Sequence, residues 1–167
     1  ILESIVLFVG KTLLNLSKTS KIECRKKRKM SNNLSKNFKK SEYKCRDGTD
    51  VPDELMDNLK EVVENLQIIR NDINEPMHII SGYRTPKYNR KIGGARRSQH
   101  MKAKAADITV KGMRSTKLRK IIISLIKEGK IKKGGVGLYR SFVHYDVRGR
   151  NARWKGKGIK DYKGDKK

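Results

Sequence analysis

The sequence predicts an α+β domain, with helices packed on one face of a small, mostly antiparallel sheet. Two stretches repeat apolar residues at helical spacing, and four short runs have the composition of buried strands. A chain of 167 residues can bury one core but is too short for two ordinary domains. We expect that domain to span residues 38–154, between a basic extension over 1–37 and a basic tail over 155–167, both without stable structure.

The first helix is predicted from Pro52 to about Asp72, and the second over Thr116–Glu128. Pro52 suits a first helical turn, whereas Gly129 stops the second helix. Apolar residues recur three or four positions apart in both stretches: Leu55, Leu59, Val62, Val63, Leu66 and Ile69 in the first, and Leu118, Ile121, Ile122, Leu125 and Ile126 in the second.

Four strands are predicted around these helices. Two of them are Met77–Ser81 and Ala105–Val110, and the loop between them contains a brief helix that Thr85 caps and a glycine pair ends. The other two, "GGVGLY" and "FVHYDVRG", are predicted to form the arms of a hairpin.

The opening "ILESIVLFVGKTLLNL" is apolar but carries Glu3 and Lys11, and it is shorter than the roughly twenty residues that a membrane helix requires. It also lacks a basic region in front, which makes it a poor signal peptide, and Met30 is a candidate for the natural start. We therefore expect no stable membrane insertion. Cys24 and Cys45 fit neither a disulfide framework nor a four-ligand zinc site.

Charge is the strongest feature of the composition, because 42 Lys and Arg against 17 Asp and Glu give a net charge of +25 at neutral pH. Such a chain is attracted to polyanions, and nucleic acid, anionic lipid and acidic cell-wall polymers would all serve. An aromatic share of 6% gives little sign of a base-stacking surface, so we expect no specific nucleic-acid partner. A lysine-rich coding bias explains the charge equally well.

Two of the three histidines stand near aspartates, in "SQHMKAKAAD" (Ser98–Asp107) and "FVHYD" (Phe142–Asp146). Because side chains alternate along a strand, His144 lies on the face opposite to its apolar neighbours. Asp107 likewise points away from the apolar face of its strand, and His100 lies in the loop that leads into it. If both apolar faces meet the helices, the two imidazoles and Asp107 converge on the far side of the sheet.

Two imidazoles and one carboxylate form a three-ligand set that suits zinc and leaves a fourth position for solvent. A metal ion in such a site polarises a carbonyl and lowers the pKa of water toward about 7. A hydrogen-bonded pair of histidine and aspartate is the commoner explanation of such a pattern, and spacing alone leaves both open.

Ser98–Asp107 resembles the signature S-x-H-x-x-G-x-A-x-D of the zinc D-alanyl-D-alanine carboxypeptidases and related peptidoglycan peptidases. The similarity extends to "SGYRTPKYNRKIGGARRSQH" and "GGVGLYRSFVHYDVRGRNARW", and so covers most of residues 38–154. The resemblance implies a fold also related to hedgehog domains, with one Zn²⁺ ion held by His100, Asp107 and His144.

The same resemblance implies substrate-binding roles for two further residues. Arg84 matches a family arginine that holds a substrate carboxylate or the developing oxyanion, a task that suits a planar cation. Ser98 would orient substrate or a ligand. A solvated loop charge at Arg84 and a turn-forming serine at Ser98 are the structural alternatives.

Two positions depart from the family pattern. Ala103 replaces the signature glycine, and a positive φ there would cost alanine about 1 kcal/mol. Ser141 stands where relatives carry an acidic residue three positions before the second histidine. Asp146 is our candidate either for proton transfer or, the preferred role, for support of a ligand by a hydrogen bond. His78 is predicted to be structural, and Trp154 to close the core.

The resemblance implies a zinc-dependent peptidase that hydrolyses bonds in peptidoglycan stem peptides, as a D,D-carboxypeptidase or an endopeptidase, of cellular or phage origin. We expect it to act as a monomer at the bacterial cell envelope, where its charge would hold it on anionic polymers. The first alternative is a wall-binding module that keeps the zinc fold but has lost catalysis. A nucleic-acid binder is the second.

Overall fold

A computed structural model describes residues 32–156 and residue 159, and the elements below are those of this part of the chain. The helices are α1 (Met56–Ile73), α2 (Pro86–Lys91) and α3 (Ser115–Lys127). The strands are β1 (Met77–Ser81), β2 (Ala105–Val110), β3 (Gly135–Leu138), β4 (Val143–Asp146) and β5 (Ala152–Lys155). Short 3-10 helical turns cover Lys40–Tyr43, Asp53–Leu55 and Gln99–Lys102.

The strands form one sheet in the order β1-β2-β4-β3-β5. The pairs β1/β2, β2/β4 and β4/β3 are antiparallel, while β5 pairs with β3 in parallel. The predicted α+β class, the mostly antiparallel sheet and the hairpin of β3 and β4 are confirmed. Strand β5 was not predicted.

Helices α1 and α3 pack against the same side of the sheet. The strand residues on that side join the helices in a single hydrophobic core, and those from the central strands are Ala106, Ile108, Val110, Val143, Tyr145 and Val147. The alternation predicted for β2 and β4 is therefore confirmed. The opposite side of the sheet is left for polar side chains.

The helix boundaries follow local chemistry. The hydroxyl of Thr85 accepts a hydrogen bond from the backbone N–H of Tyr88, which caps α2 as predicted. Helix α1 ends at Asn74 in the left-handed conformation (φ 55°), and Gly129, with φ 72°, follows α3. The predicted helices agree with these bounds to within a few residues.

The segment before α1 belongs to the same core. Phe38, Tyr43, Cys45 and Val51 are buried, and Leu34 packs against them. The chain divides into one unit ending at Asn33 and a second beginning at Leu34, and the hydrophobic core lies in the second. Most of the predicted disordered extension and tail, and Cys24, lie outside the described residues.

In the described part of the chain, no helix has both the length and the apolar composition that crossing a bilayer requires.

Candidate metal centre

The pairing of β2 with β4 brings two of the predicted ligands together. Asp107 and His144 lie directly opposite each other in the antiparallel register, and side chains in that relation share one face of the sheet. His100 comes from the 3-10 turn that leads into β2, and its side chain reaches the same point. All three residues are buried, with 2% of His100, 4% of Asp107 and 7% of His144 exposed.

Three side-chain atoms form a small triangle. Asp107 Oδ1 lies 2.9 Å from His144 Nδ1 and 3.2 Å from His100 Nε2, and the two nitrogens are 3.1 Å apart. Ligands in a tetrahedral zinc site, at bond lengths of about 2.0–2.2 Å, lie about 3.3 Å from one another. The triangle therefore has nearly the dimensions of one face of a zinc tetrahedron.

The outer nitrogen of each imidazole determines which tautomer is present. His100 Nδ1 lies 2.6 Å from the carbonyl oxygen of Gly82, which only accepts, so Nδ1 carries the proton. His144 Nε2 lies 3.0 Å from Asp146 Oδ2 and donates to that carboxylate. In the neutral rings, His100 Nε2 and His144 Nδ1 therefore present lone pairs to Asp107 Oδ1.

Three acceptors that face one another repel unless a positive charge lies among them. One proton can bridge a single edge of the triangle, whereas one divalent cation contacts all three atoms. Nitrogen and oxygen donors in this number are the set that zinc uses when a coordination position stays open. The donor set and its geometry fit the metal that the sequence resemblance implies.

Burial and hydrogen bonding shift the pKa values of the three side chains in different directions. Burial lowers the pKa of His100, which keeps its ring neutral near pH 7. Burial alone would also lower the pKa of His144, but hydrogen bonds with Asp107 and Asp146 outweigh it and raise that pKa. Burial opposes ionisation of Asp107, yet the hydrogen bonds from both histidines hold its pKa below the usual range. A proton and a cation therefore compete for His144 Nδ1.

Arg84 is hydrogen-bonded to Asp107, one of the three predicted ligands. Its Nη2 donates to Asp107 Oδ2, the oxygen that does not belong to the triangle, and its Nε donates to the hydroxyl of Ser81 at 2.9 Å. Its side chain is 15% exposed, so it is neither a solvated loop charge nor fully buried. By holding one carboxylate oxygen, Arg84 turns the other toward the two imidazoles.

Asp146 lies behind His144 and has no exposed surface. Its carboxylate accepts from His144 Nε2, from the backbone N–H of Gly135 at 3.0 Å and from the guanidinium of Arg148 at 2.8 and 2.6 Å. Burial alone would raise the pKa of Asp146, but these hydrogen bonds lower it below its usual range. Asp146 is therefore an ionised acceptor near neutral pH.

The triangle opens into a cleft of about 530 Å³. Residues 92–95 and 97–99 form one wall of this cleft, and Tyr139, Phe142 and Trp154 form an aromatic wall. The rings of Tyr139 and Phe142 stack at 4.4 Å, and Trp154 Nε1 donates to the hydroxyl of Tyr139 at 3.1 Å. Trp154 lines the cleft, 5.1 Å from the ring of His144, and does not belong to the hydrophobic core, so the prediction that it closes the core is wrong.

The remaining sequence predictions separate into two groups. Ser98 lines the cleft beside His100. Ala103, which follows the 3-10 turn Gln99–Lys102, has a φ of 50°, so the position of the signature glycine does have a positive φ. Ser141 lies exposed between β3 and β4 and does not line the cleft, and His78 is an exposed residue of β1. Neither of these two contributes to the site.

Sequence reasoning missed several contacts of the site. The position of Arg148 beside Asp146 could have been predicted from the sequence, because His144, Asp146 and Arg148 alternate along the chain and so share one face of the strand. No sequence pattern indicates that the carbonyl of Gly82 contacts His100, or that the rings of Tyr139 and Phe142 stack in the cleft, since both depend on the folded chain.

Known proteins resemble this chain in the same region. A 34% identity over 80 residues relates it to the "Peptidoglycan L,D-endopeptidase MepK" of Escherichia coli and of Shigella flexneri. The similar segment covers 44% of this chain and 41% of each relative, so the chain spans well under two thirds of their length. The sequence profile of the peptidase M15 family matches residues 32–146, which include the triangle and the cleft wall before β4. The chain belongs to the peptidase M15 family.

Proposed function

We propose that this chain is a zinc-dependent peptidase that hydrolyses a peptide bond in the stem peptides of peptidoglycan. The observation that carries the proposal is the buried triangle of lone-pair atoms from His100, Asp107 and His144, which opens into a cleft. Membership of the peptidase M15 family and similarity to relatives named peptidoglycan endopeptidases support the reaction class and the substrate class.

His100, Asp107 and His144 would hold one Zn²⁺, which when bound supplies a Lewis acid to polarise the scissile carbonyl. The two imidazoles already have the tautomers that direct a lone pair inward. Arg84 already directs the carboxylate oxygen of Asp107 inward as well. Little rearrangement of the chain would accompany metal binding, which favours affinity.

Arg84 would also contact substrate. A guanidinium has five donors, and those that do not bind Asp107 or Ser81 remain for a substrate carboxylate or a developing oxyanion. Ser98 lines the same cleft, and its hydroxyl would orient the peptide. Asp146 would position His144 and take no part in proton transfer, because it is fully buried and already accepts from His144, Gly135 and Arg148.

The names of the relatives, which are endopeptidases, favour an endopeptidase over a D,D-carboxypeptidase as the reaction of this chain. An internal bond requires a cleft that admits peptide on both sides of the scissile carbonyl. Product analysis decides between the two, because a carboxypeptidase releases free D-alanine whereas an endopeptidase releases larger stem fragments.

The test compares wild-type protein with His100→Ala and Asp107→Ala on purified sacculi. We expect both variants to lose bound zinc and the release of peptide fragments. His78→Ala is a matched control, because that histidine is exposed on β1 outside the cleft. Zinc content by atomic emission and products by mass spectrometry are the readouts. Undiminished hydrolysis by a metal-free variant would refute the proposal.

One observation favours a second candidate, a wall-binding module without catalysis. Among the described residues, Asp107 is the only carboxylate that lines the cleft, and it already bonds to Arg84 and the two histidines. The part of the chain that the structure describes thus offers no free carboxylate there for proton transfer. Zinc-loaded protein that binds sacculi but releases no fragments would establish the binding module in place of the peptidase.

A further inference from the structure

Arg148 completes a closed group of side chains around His144. Its Nε and Nη2 donate to the two oxygens of Asp146 as a fork, and Asp146 Oδ2 in turn accepts from His144 Nε2. The guanidinium also lies 5.5 Å from the ring centre of Trp154, and the Trp154 ring in turn packs against His144 at 5.1 Å. The imidazole of His144 is therefore held at its outer nitrogen and along its ring.

The backbone of β3 is shaped for this group. The backbone N–H of Gly135 donates to Asp146 Oδ1 at 3.0 Å. A Cβ at Gly135 would overlap Asp146 Oδ2 and come within 3.0 Å of Arg148 Nη2. Any residue larger than glycine at this position would displace the carboxylate or the guanidinium, so Gly135, Asp146 and Arg148 form one interlocking unit.

Asp146 depends on Arg148 for its charge balance. The carboxylate has no exposed surface, whereas Arg148 is 24% exposed and keeps access to the cleft. A buried carboxylate needs an opposite charge or several donors, and among the described side chains Arg148 is the permanent cation in contact with it. Without the fork, Asp146 could rotate and release the N–H of His144.

We propose that Arg148 is a positioning residue of the metal centre: by clamping Asp146, it locks His144 in the tautomer that presents Nδ1 to the ion. The inference rests on the proposed zinc site but not on which bond is cleaved. Loss of the hydrogen bonds between Arg148 and Asp146 weakens zinc binding, because His144 then populates the other tautomer and other ring orientations. Outer partners of ligating histidines commonly alter metal affinity by about 10- to 100-fold.

The test measures the affinity of the full chain for Zn²⁺ itself, by competition with a chromophoric chelator. Arg148→Met should bind zinc at least about 10-fold more weakly than wild type. Arg148→Lys should fall between them, since lysine keeps the charge but not the two-pronged geometry. Arg150→Met is the matched control, because it removes the same charge from an exposed position two residues away and should bind as wild type.

A second readout reports the tautomer directly. In metal-free wild-type protein, long-range ¹H–¹⁵N spectra of the imidazoles should show His144 protonated at Nε2, and Arg148→Lys should show a mixture. Equal zinc affinities for the Arg148 variants and Arg150→Met, with an unchanged His144 spectrum, would overturn the inference. If Arg148→Met fails to fold, the zinc affinity of Arg148→Lys and its His144 spectrum decide whether the inference stands.

The two proposals fail in different ways. Wild-type protein that binds zinc but leaves sacculi intact removes the peptidase and preserves the role of Arg148. Fragment release with no loss of zinc affinity in the Arg148 variants removes the role of Arg148 and preserves the peptidase.

Discussion

Ala103 has the left-handed backbone conformation that glycine adopts freely, at the point where the 3-10 turn carrying His100 passes into β2. The conformation costs alanine about 1–2 kcal/mol. Its methyl group is 1% exposed and lies in the hydrophobic core, and burial of one carbon contributes about 0.8 kcal/mol. The two effects nearly offset each other, which explains how alanine is accommodated in the turn.

Ala103→Gly should therefore change the free energy of unfolding by no more than about 1 kcal/mol, because relief of backbone strain offsets the lost methyl group. Ala103→Val should destabilise the protein by about 2 kcal/mol or more, since a branched side chain fits poorly at positive φ. Urea unfolding measures both. A large loss of stability in Ala103→Gly would show that packing dominates at this position.

At Gly135 the constraint is lack of space for a side chain, whereas at Ala103 it is the backbone conformation. Gly135→Ala should weaken zinc binding and lower stability by about 1–3 kcal/mol, because the new Cβ overlaps the carboxylate of Asp146. Gly48→Ala is a suitable control, since a Cβ there has open space and adds only backbone strain. Zinc titration and thermal unfolding of both variants test the prediction, and equal zinc affinities for the two would contradict it.

At the scale of elements, β5 has more influence than its four residues indicate. It pairs in parallel with β3, and it carries Trp154 to the face of the sheet where His144 lies. Gly137 of β3 leaves room for the indole, because a Cβ there would overlap it. One strand thus covers the edge of the sheet and supplies part of the aromatic wall of the cleft.

Truncation after residue 150 should lower both the melting temperature and the zinc affinity, because it uncovers the edge of β3 and removes Trp154. Truncation after residue 156 keeps β5 and should preserve both. Differential scanning calorimetry and zinc titration of the two shortened chains provide the comparison. Equal behaviour of the two would mean that β5 contributes neither stability nor support for His144.

At the scale of the whole molecule, the positive charge is unevenly distributed along the chain. Between residues 76 and 106 no Asp or Glu occurs, and the segment carries eight cations: Arg84, Lys87, Arg90, Lys91, Arg96, Arg97, Lys102 and Lys104. Residues 92–95 and 97–99 of this segment line the cleft. An anionic polymer that supplies the substrate would be attracted to the cleft itself.

Binding to purified sacculi should therefore weaken as salt is raised from about 50 to 500 mM, because attraction between exposed charges is screened. Arg97→Glu, in the wall of the cleft, should weaken binding more than Arg96→Glu, whose position does not line it. Co-sedimentation at each salt concentration measures the effect. If binding to sacculi does not change with salt, it depends on uncharged contacts and the prediction is wrong.

Zinc should stabilise the folded chain as a whole, because the ligand triangle exists only when β2, β4 and the turn before β2 are assembled. At a free zinc concentration 100 times the Kd, the stabilisation is about 2.7 kcal/mol. A chelator should therefore lower the melting temperature of wild-type protein and leave that of His100→Ala unchanged. An unchanged wild-type melting temperature would contradict binding to the folded state.

The order of the amino acids alone predicts the two long helices, the antiparallel strands and, provided that both apolar strand faces meet the helices, the convergence of His100, Asp107 and His144. These features depend on periodicity and alternation, which act over a few residues and place each side chain on a face. The resemblance to zinc peptidases then identified the same three residues, and the geometry of the folded chain brings them together as expected.

The finer arrangement of the site depends on tertiary contacts. The tautomer of His100 depends on the carbonyl of Gly82, strand β5 pairs with β3, and Trp154 lies in the cleft instead of the core. These contacts join segments remote in sequence, so no local pattern encodes them. The strand pattern can place an imidazole on a face, but its neighbours in space determine which nitrogen bears the proton.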